Sequence, residues 1–171
     1  MTQNPLPGRE AAFLALRQVE QEDAYANLAL KKVLDESGTR PQEAKLATEI
    51  VYGAVRLRYA LEHLLKNLLT KPLSQLHPDA RVILELSLYQ LHQLALEPYA
   101  VVNEGVKLAK KYTNPTLAKV VNGVLRSYLR QAEARGREAL LPGRDDLRSY
   151  LRITQSYPAW LVDYLLAHFG P

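Results

Sequence analysis

The sequence predicts an all-α fold of about seven to nine helices. Apolar residues recur every three or four positions along most of the chain, which is the spacing of one face of an α-helix. Proline, asparagine and glycine residues stand where these apolar runs would begin and end. Strand signals are weak, because no hairpin dipeptide lies between runs of alternating apolar and polar residues.

The first two helices are predicted on either side of Asp23. The first begins near Gly8 and is amphipathic, with its charged residues away from its apolar face. Asp23 is predicted to cap the second helix, which would end at Ser37 and Gly38.

The middle of the chain is predicted to hold one long helix and one central helix. Residues Thr39 to Gln42 fit a capping box, and a helix would follow them to about Leu69. The next helix opens at His77 and Pro78 and is apolar around most of its girth. This pattern predicts that it lies buried at the centre of the domain.

Two further helices are predicted from prolines and an asparagine. One begins at Glu97 and Pro98 and runs through Tyr112, and the other runs from its cap, Asn114, to about Ala134.

The end of the chain is predicted to hold a short helix around Asp145–Thr154 and a last helix after Pro158. The last helix would present a large apolar face, formed by Trp160, Leu161, Tyr164, Leu165 and Phe169. Two explanations stay open: the helix packs on the core, or the chain is a piece of a longer protein and this helix leads onward.

Positive charge is concentrated between Val101 and Arg137. This stretch holds eight lysines and arginines against Glu104 and Glu133, a net charge of +6, whereas residues 1–100 and 138–171 each carry −1. A local excess points to an anionic partner more strongly than an even spread would.

Six of these basic residues fall on two predicted helix faces, because they lie three, four or seven positions apart. Together they would form a stripe suited to a phosphate backbone, although a solvated helix surface is the alternative. The candidate RNA contacts are Lys107, Lys110, Lys111, Lys119, Arg126 and Arg130, extended by Arg9, Lys31 and Lys32. Three tyrosines among them could stack on unpaired bases or belong to the core: Tyr99, Tyr112 and Tyr128.

Three glycines stand inside predicted helices, at Gly53, Gly105 and Gly123. Glycine destabilises a helix interior by about 1 kcal/mol relative to alanine. These positions therefore predict close approach of neighbouring helices.

Two asparagines also stand inside helical runs, at Asn103 and Asn122. They are expected either to bond the backbone of a neighbouring helix or to serve as polar groups at a binding surface. Glu104 is expected to pair with Arg126 or Arg56.

Neither a catalytic site nor a metal site is predicted on this chain. It has no cysteine, which excludes disulfides, thiolate ligands and a cysteine nucleophile. Its four histidines lack ligand spacing, and no glycine-rich loop follows a strand. Membrane-span and signal-peptide patterns are also missing, so we expect a soluble cytoplasmic protein.

Four segments resemble motifs of NusB-like domains and occur in the same order as in that family. They are Glu49–Arg56 (EIVYGAVR), Ile83–Leu91 (ILELSLYQL), Val101–Lys110 (VVNEGVKLAK) and Val121–Arg126 (VNGVLR). The resemblance covers about residues 8–134. It implies an all-α, RNA-binding bundle of two subbundles, to which this chain adds C-terminal helices.

The last residues of the chain point to one family among the proteins with NusB-like domains. Tyr157–Leu161 (YPAWL), followed by Phe169 and Gly170, resembles the RsmB (Sun/Fmu) family of 16S ribosomal RNA cytosine-C5 methyltransferases, which use S-adenosylmethionine. The implied division is an RNA-binding domain over residues 1–137 and a helical connection toward a methyltransferase domain over residues 138–171.

This chain departs from the full methyltransferase pattern, because it lacks both a cysteine and a cofactor-binding βαβ region. The chain itself would therefore be no enzyme and hold no cofactor, and S-adenosylmethionine would bind the parent enzyme elsewhere. The implied partners are ribosomal RNA and the chain's own downstream methyltransferase domain, with no membrane.

Two other functions stay open. One is a standalone NusB-type transcription antitermination factor that acts with a ribosomal protein. The other is a helical scaffold that docks the catalytic domain and leaves RNA binding to other surfaces.

Overall fold

The computed structural model describes residues 4–171, and all regular elements within this range are helical. The α-helices are α1 (Gly8–Glu22), α2 (Ala26–Ser37), α3 (Pro41–Arg56), α4 (Arg58–Leu68), α5 (Pro78–His92), α6 (Pro98–Tyr112), α7 (Pro115–Arg135), α8 (Leu147–Ser149) and α9 (Ala159–Phe169). Single 3-10 turns lie at Leu73–Gln75 and Glu138–Leu140, and a π-helical turn at Tyr150–Thr154 continues α8. The all-α class is confirmed. In the described range, each helix is too short or too polar to cross a lipid bilayer.

The helices form two subbundles that share α5. Helices α1, α2 and α3 pack on one another, and α6 and α7 pack side by side on α5 next to α4. Helix α5 contacts members of both groups, and ten of its fifteen residues are buried. The predictions of two subbundles and of a central, buried helix are therefore confirmed.

The long helix predicted between residues 42 and 69 is wrong, because the chain forms two helices that meet at Leu57. Leu57 leaves the helical conformation, with φ −100° and ψ 24°. Its N–H still bonds the Gly53 carbonyl at 3.0 Å, and its own carbonyl accepts from Leu61 at 3.0 Å. The apolar pattern continues across this break, which is why periodicity did not reveal it.

The predicted end of α2 at Ser37 and Gly38 is confirmed, whereas the predicted side-chain caps at helix starts are correct at one position and wrong at two. The Asn114 side chain accepts a bond of 2.9 Å from the α7 backbone, as predicted. The Thr39 hydroxyl instead bonds the Ser37 hydroxyl at 2.6 Å and does not cap α3. Asp23 ends α1 in a left-handed conformation, with φ 52°, and Tyr25 precedes α2.

Close helix approach is confirmed at two of the three glycines. A Cβ atom at Gly53 would overlap the ring of Tyr89, so α3 can pack on α5 only with glycine there. A Cβ atom at Gly105 would lie 2.9 Å from the Ser87 hydroxyl. Gly123 faces open space, so the prediction is wrong at that position.

Helix α9 stands apart from the core. Its main contact is with the π-helical turn, and Val162 is its one buried residue. Trp160 and Phe169 are 70% and 77% exposed, which contradicts the explanation that this apolar face packs on the core. The segment before α9 is joined to α4, because the Ala60 N–H donates to the Ser156 hydroxyl at 3.1 Å.

Candidate nucleic-acid interface

Helices α6 and α7 leave a groove of about 520 Å³ between them. Its floor is apolar and its rim carries a carboxylate, a phenol, two amides and a guanidinium. The lining residues are Val102, Val106, Leu129, Pro98, Glu97, Tyr99, Asn103, Asn122 and Arg126.

The mouth of the groove presents an exposed aromatic ring. Tyr99 lies in the first turn of α6 and is 76% exposed. The Glu97 carboxylate accepts bonds from the Tyr99 and Ala100 N–H groups at 3.0 and 2.8 Å, so this charge is engaged by the helix N-terminus. The ring of Tyr99 is thus available to a stacking partner.

The two amides of the groove do not serve the packing role considered for them. Among the described residues, neither Asn103 nor Asn122 bonds the backbone of a neighbouring helix. The Asn122 carbonyl oxygen accepts a bond of 3.0 Å from Arg126 Nε. Glu104 pairs with Lys107 at 3.4 Å, so its predicted pairing with Arg126 or with an arginine of α3 is wrong. The alternative role of the amides, as polar groups at a binding surface, fits their placement.

Arg126 lines this groove, and five more of the nine candidate cations lie on the same two helices. Lys110, Lys119 and Arg130 are exposed and have no carboxylate within 4 Å in the described part of the chain. Lys107 is held only by an exposed contact three residues away, which is a weak interaction. With Arg126, these side chains form a cationic face on α6 and α7 that is little neutralised.

Lys111 has a different role, because it pairs with the buried carboxylate of Glu10 on α1. The Tyr112 hydroxyl donates to the same carboxylate at 2.6 Å, and its ring centroid lies 4.6 Å from that of Phe13. Burial and the Glu10 carboxylate raise the pKa of Tyr112. Lys111 and Tyr112 therefore join α6 to α1.

The three candidates outside α6 and α7 do not lie on this face. Arg9 Nε donates to the buried Gln90 side chain at 2.5 Å, which ties α1 to α5. Lys31 pairs with Asp35 at 2.6 Å, and Lys32 is exposed beside it. Both lysines belong to α2, which packs on α1 and α3 in the other subbundle.

Tyr128 and Arg137 close the end of the core near α5. The Tyr128 hydroxyl lies 2.8 Å from His92 Nδ1, and burial raises the pKa of Tyr128 to about 12. Arg137 donates to the His92 carbonyl at 2.9 Å. Burial first, and the Arg137 charge second, lower the pKa of His92. These groups serve packing rather than the groove.

Comparison with known proteins identifies the family and two long relatives. The NusB family model matches residues 7–130. A probable ribosomal RNA small subunit methyltransferase B of Synechocystis sp. is 38% identical over 166 residues, which are 96% of this chain and 36% of that protein. A protein of the same description from Bacillus subtilis is 36% identical over 158 residues, 90% of this chain and 33% of its own. The chain spans about a third of the length of these relatives.

Solved structures share the fold. NusB of T. maritima superposes with a TM-score of 0.64 at 25% identity, covering 80% of this chain and 97% of its own. A chain from the complex of antitermination factors NusB and NusE with double-stranded RNA gives a TM-score of 0.66 at 28% identity. That match covers 70% of this chain and 91% of the other.

Proposed function

The chain belongs to the NusB family, and we propose that it is the ribosomal RNA-recognition domain of an S-adenosylmethionine-dependent cytosine-C5 methyltransferase. The alignments with methyltransferase relatives cover 90–96% of the chain, whereas the family model ends at residue 130. This extent favours a methyltransferase domain over a standalone antitermination factor. S-adenosylmethionine and the reacting cysteine would belong to chain outside these 171 residues.

The groove between α6 and α7 is the observation on which this function rests. Lys107, Lys110, Lys119, Arg126 and Arg130 would contact RNA phosphates, since their charges are exposed and little neutralised. Phosphate contacts position an RNA but carry no sequence information directly.

Base recognition would come from the groove itself. The exposed ring of Tyr99 would stack on an unpaired base, and the amides of Asn103 and Asn122 would bond base edges. Recognition of this kind suits unpaired loops and bulges of ribosomal RNA better than a continuous duplex.

The remaining candidates would support this surface in other ways. Lys111 and Arg9 would act by holding α6 and α1 in place, because each is bonded to a buried partner. Lys31 and Lys32 would supply secondary phosphate contacts on α2 to a longer RNA.

The proposed division of the chain is an RNA-binding domain over residues 1–137 and a connection over residues 138–171. The aromatic face of α9 would be covered by the downstream methyltransferase domain, which fits the exposure of Trp160 and Phe169. A cytoplasmic enzyme acting on ribosomal RNA is the parent that we propose.

A salt titration of RNA binding tests the interface. The 171-residue chain, its Lys110→Glu/Lys119→Glu variant and a control Lys45→Glu/Lys71→Glu variant would be titrated with single-stranded ribosomal RNA segments by fluorescence anisotropy. The first variant should bind roughly tenfold more weakly at low salt, with a log–log salt slope shallower by about 1.4, because two phosphate contacts are lost. The control carries the same charge change on exposed lysines that have no ion-pair partner within residues 4–171, and it should match the wild type.

Two outcomes would contradict the proposal at different levels. If both variants bind like the wild type, RNA contacts a surface other than α6 and α7. If the wild type binds no RNA even at low salt, the domain is a scaffold for the catalytic part.

A further inference from the structure

A second cleft, of about 390 Å³, lies between α4 and the turn that continues α8. One wall carries Tyr59, His63 and Lys66 of α4, and the other carries Arg148, Ser149 and Arg152. The second wall lies beyond residue 130, where the family model ends, but within the part of the chain that aligns with the methyltransferase relatives.

A hydrogen bond joins the two walls, because the Ala60 N–H of α4 donates to the Ser156 hydroxyl at 3.1 Å. The Thr154 hydroxyl donates to the Pro142 carbonyl at 2.6 Å, which holds the second wall to the loop before α8. The second wall includes a π-helical turn, a feature found frequently at functional sites. The walls of the cleft are therefore held in place by the fold.

The charges around the cleft are more basic than acidic. Glu62 lies 2.7 Å from Lys66, and Asp163 pairs with Arg148, so each of these cations is partly neutralised. Arg152 is exposed and has no carboxylate within 4 Å in the described residues. It is the cation best placed to meet an anionic ligand.

Two further charged groups, Arg81 and Asp146, lie near the cleft. Glu62 also lies 3.7 Å from Arg81, which draws its charge away from the cleft. Asp146 accepts bonds from the Ser149 N–H and hydroxyl at 3.1 and 2.6 Å, so it caps the helix.

The rim of the cleft offers a stacked pair of side chains. The Arg58 guanidinium lies 4.6 Å from the ring centroid of Tyr59 and donates to its hydroxyl at 2.7 Å. Arginine and tyrosine planes are the groups on which RNA bases stack. An anion with attached planar groups, as in RNA, suits this combination.

His63 reports the potential inside the cleft. Burial first, and the Lys66 charge second, lower the pKa of His63. A phosphate that approaches this imidazole would favour its charged form and so raise the pKa of His63 again.

We propose that this cleft binds phosphodiester groups of RNA, with Arg152 and Lys66 as phosphate contacts and the Arg58–Tyr59 pair as a stacking platform. The inference rests on the proposed function and adds a second contact to it.

The two RNA contacts would lie on opposite sides of α7. The groove described above uses Asn122 and Arg126 of α7, whereas Gln131 and Arg135 face the cavity that α7 shares with α4 and His63. An RNA that uses both sites would therefore pass around α7, and the sites can be removed one at a time.

The test compares three double variants of the whole chain in the same salt titration. Arg58→Glu/Arg152→Glu removes the cleft contacts, Lys110→Glu/Lys119→Glu removes the groove contacts, and Lys45→Glu/Lys71→Glu is the control. The cleft variant should bind single-stranded ribosomal RNA about tenfold more weakly at low salt, because it loses the Arg152 phosphate contact and the Arg58 side of the stacking platform. Its slope should be shallower by about 0.7, since one phosphate contact is lost and Lys66 remains. In a fourth variant that carries both the cleft and the groove changes, the two losses of affinity should multiply, because distant contacts act independently.

A second measurement localises the effect. The imidazole titration of His63, followed by NMR, should move to higher pH when RNA is added to the wild type and should not move in the cleft variant. Circular dichroism melting checks that each variant is folded.

The outcomes separate this inference from the proposed function. If the groove variant is weakened while the cleft variant binds like the control, the cleft proposal is overturned and the RNA-recognition function stands. If the wild type binds no RNA, both are overturned.

Discussion

Helices α5 and α9 are both rich in apolar residues, but they are buried to very different extents. Ten of the fifteen residues of α5 are buried, against one of the eleven residues of α9. Helix α5 has α1, α3, α4, α6 and α7 around it, whereas the main contact of α9 is a single turn. An apolar composition thus predicts that a helix packs against other elements. Whether it is buried within these 171 residues depends on the helices that pack around it.

The same difference separates the cations of the molecule. Some basic side chains bond buried partners and so join helices, as Arg9 does with Gln90 of α5 and Lys111 with Glu10 of α1. Others are exposed and have no carboxylate within 4 Å in the described residues, as at Lys110, Lys119 and Arg152. The second group is the one available to an anionic partner, so we expect the partner of each cation to be a better guide to the proposed RNA contacts than a charge count.

The largest expected effect tests the burial of α5 directly. Leu88→Ala should lower the free energy of unfolding by about 2–5 kcal/mol, because Leu88 is fully buried and its removal leaves a cavity. Trp160→Ala in α9 should change it by less than about 0.5 kcal/mol, because exposed side chains contribute little. Urea denaturation followed by circular dichroism measures both.

Equal effects of these two substitutions would contradict the difference in burial between α5 and α9. A large loss from Trp160→Ala in the 171-residue chain would mean that α9 packs on the core in solution.

Most of this fold was predictable because its signals are local. Prolines and periodicity placed the starts of α1 and α5, and both ends of α2, α6 and α7, to within a residue or two of those observed. The break at Leu57 was not predictable, since one residue leaves the helical conformation while the apolar pattern continues.

The site was predicted less completely because its contacts join distant segments. The partner of Lys111 is Glu10, which lies 101 residues away in sequence. The cleft between α4 and Arg152 was missed because both of its walls come from segments with a net charge of −1. Only the folded chain places these cations together.

The next largest effect tests the contact between α3 and α5. Gly53→Ala should destabilise the protein by about 1–3 kcal/mol, since the new methyl group would overlap the ring of Tyr89. Gly123→Ala is the matched control, and it should stabilise the protein by up to about 1 kcal/mol because that position is open and helical. The two midpoints of urea denaturation should therefore move in opposite directions, and a shift in the same direction would contradict the close packing of α3 on α5.

The smallest effect concerns a carboxylate in α5. Glu85 is 12% exposed and accepts a bond of 2.8 Å from Arg81. Burial is the largest cause that raises the pKa of Glu85 to about 7, and the nearby carboxylates of Glu20 and Glu62 add to it. The folded state therefore holds the Glu85 proton more tightly than the unfolded chain, whose ordinary value is 4.5. The resulting stabilisation is present below pH 4.5 and is lost as the pH rises through about 7.

Glu85→Gln removes this titration, because glutamine stays neutral at every pH. The measured quantity is the free energy of unfolding of the variant minus that of the wild type. This difference should rise by about 1–2 kcal/mol in favour of the variant between pH 5 and pH 8. Using the difference between two pH values cancels the constant effect of weakening the bond to Arg81. Asp163→Asn in α9 is the control, since it removes a carboxylate that is 57% exposed, and its stability should follow the wild-type pH curve. If the Glu85 variant also follows the wild-type dependence of stability on pH, the interior around α5 is better solvated than its burial indicates. The difference in burial between α5 and α9 would then be smaller.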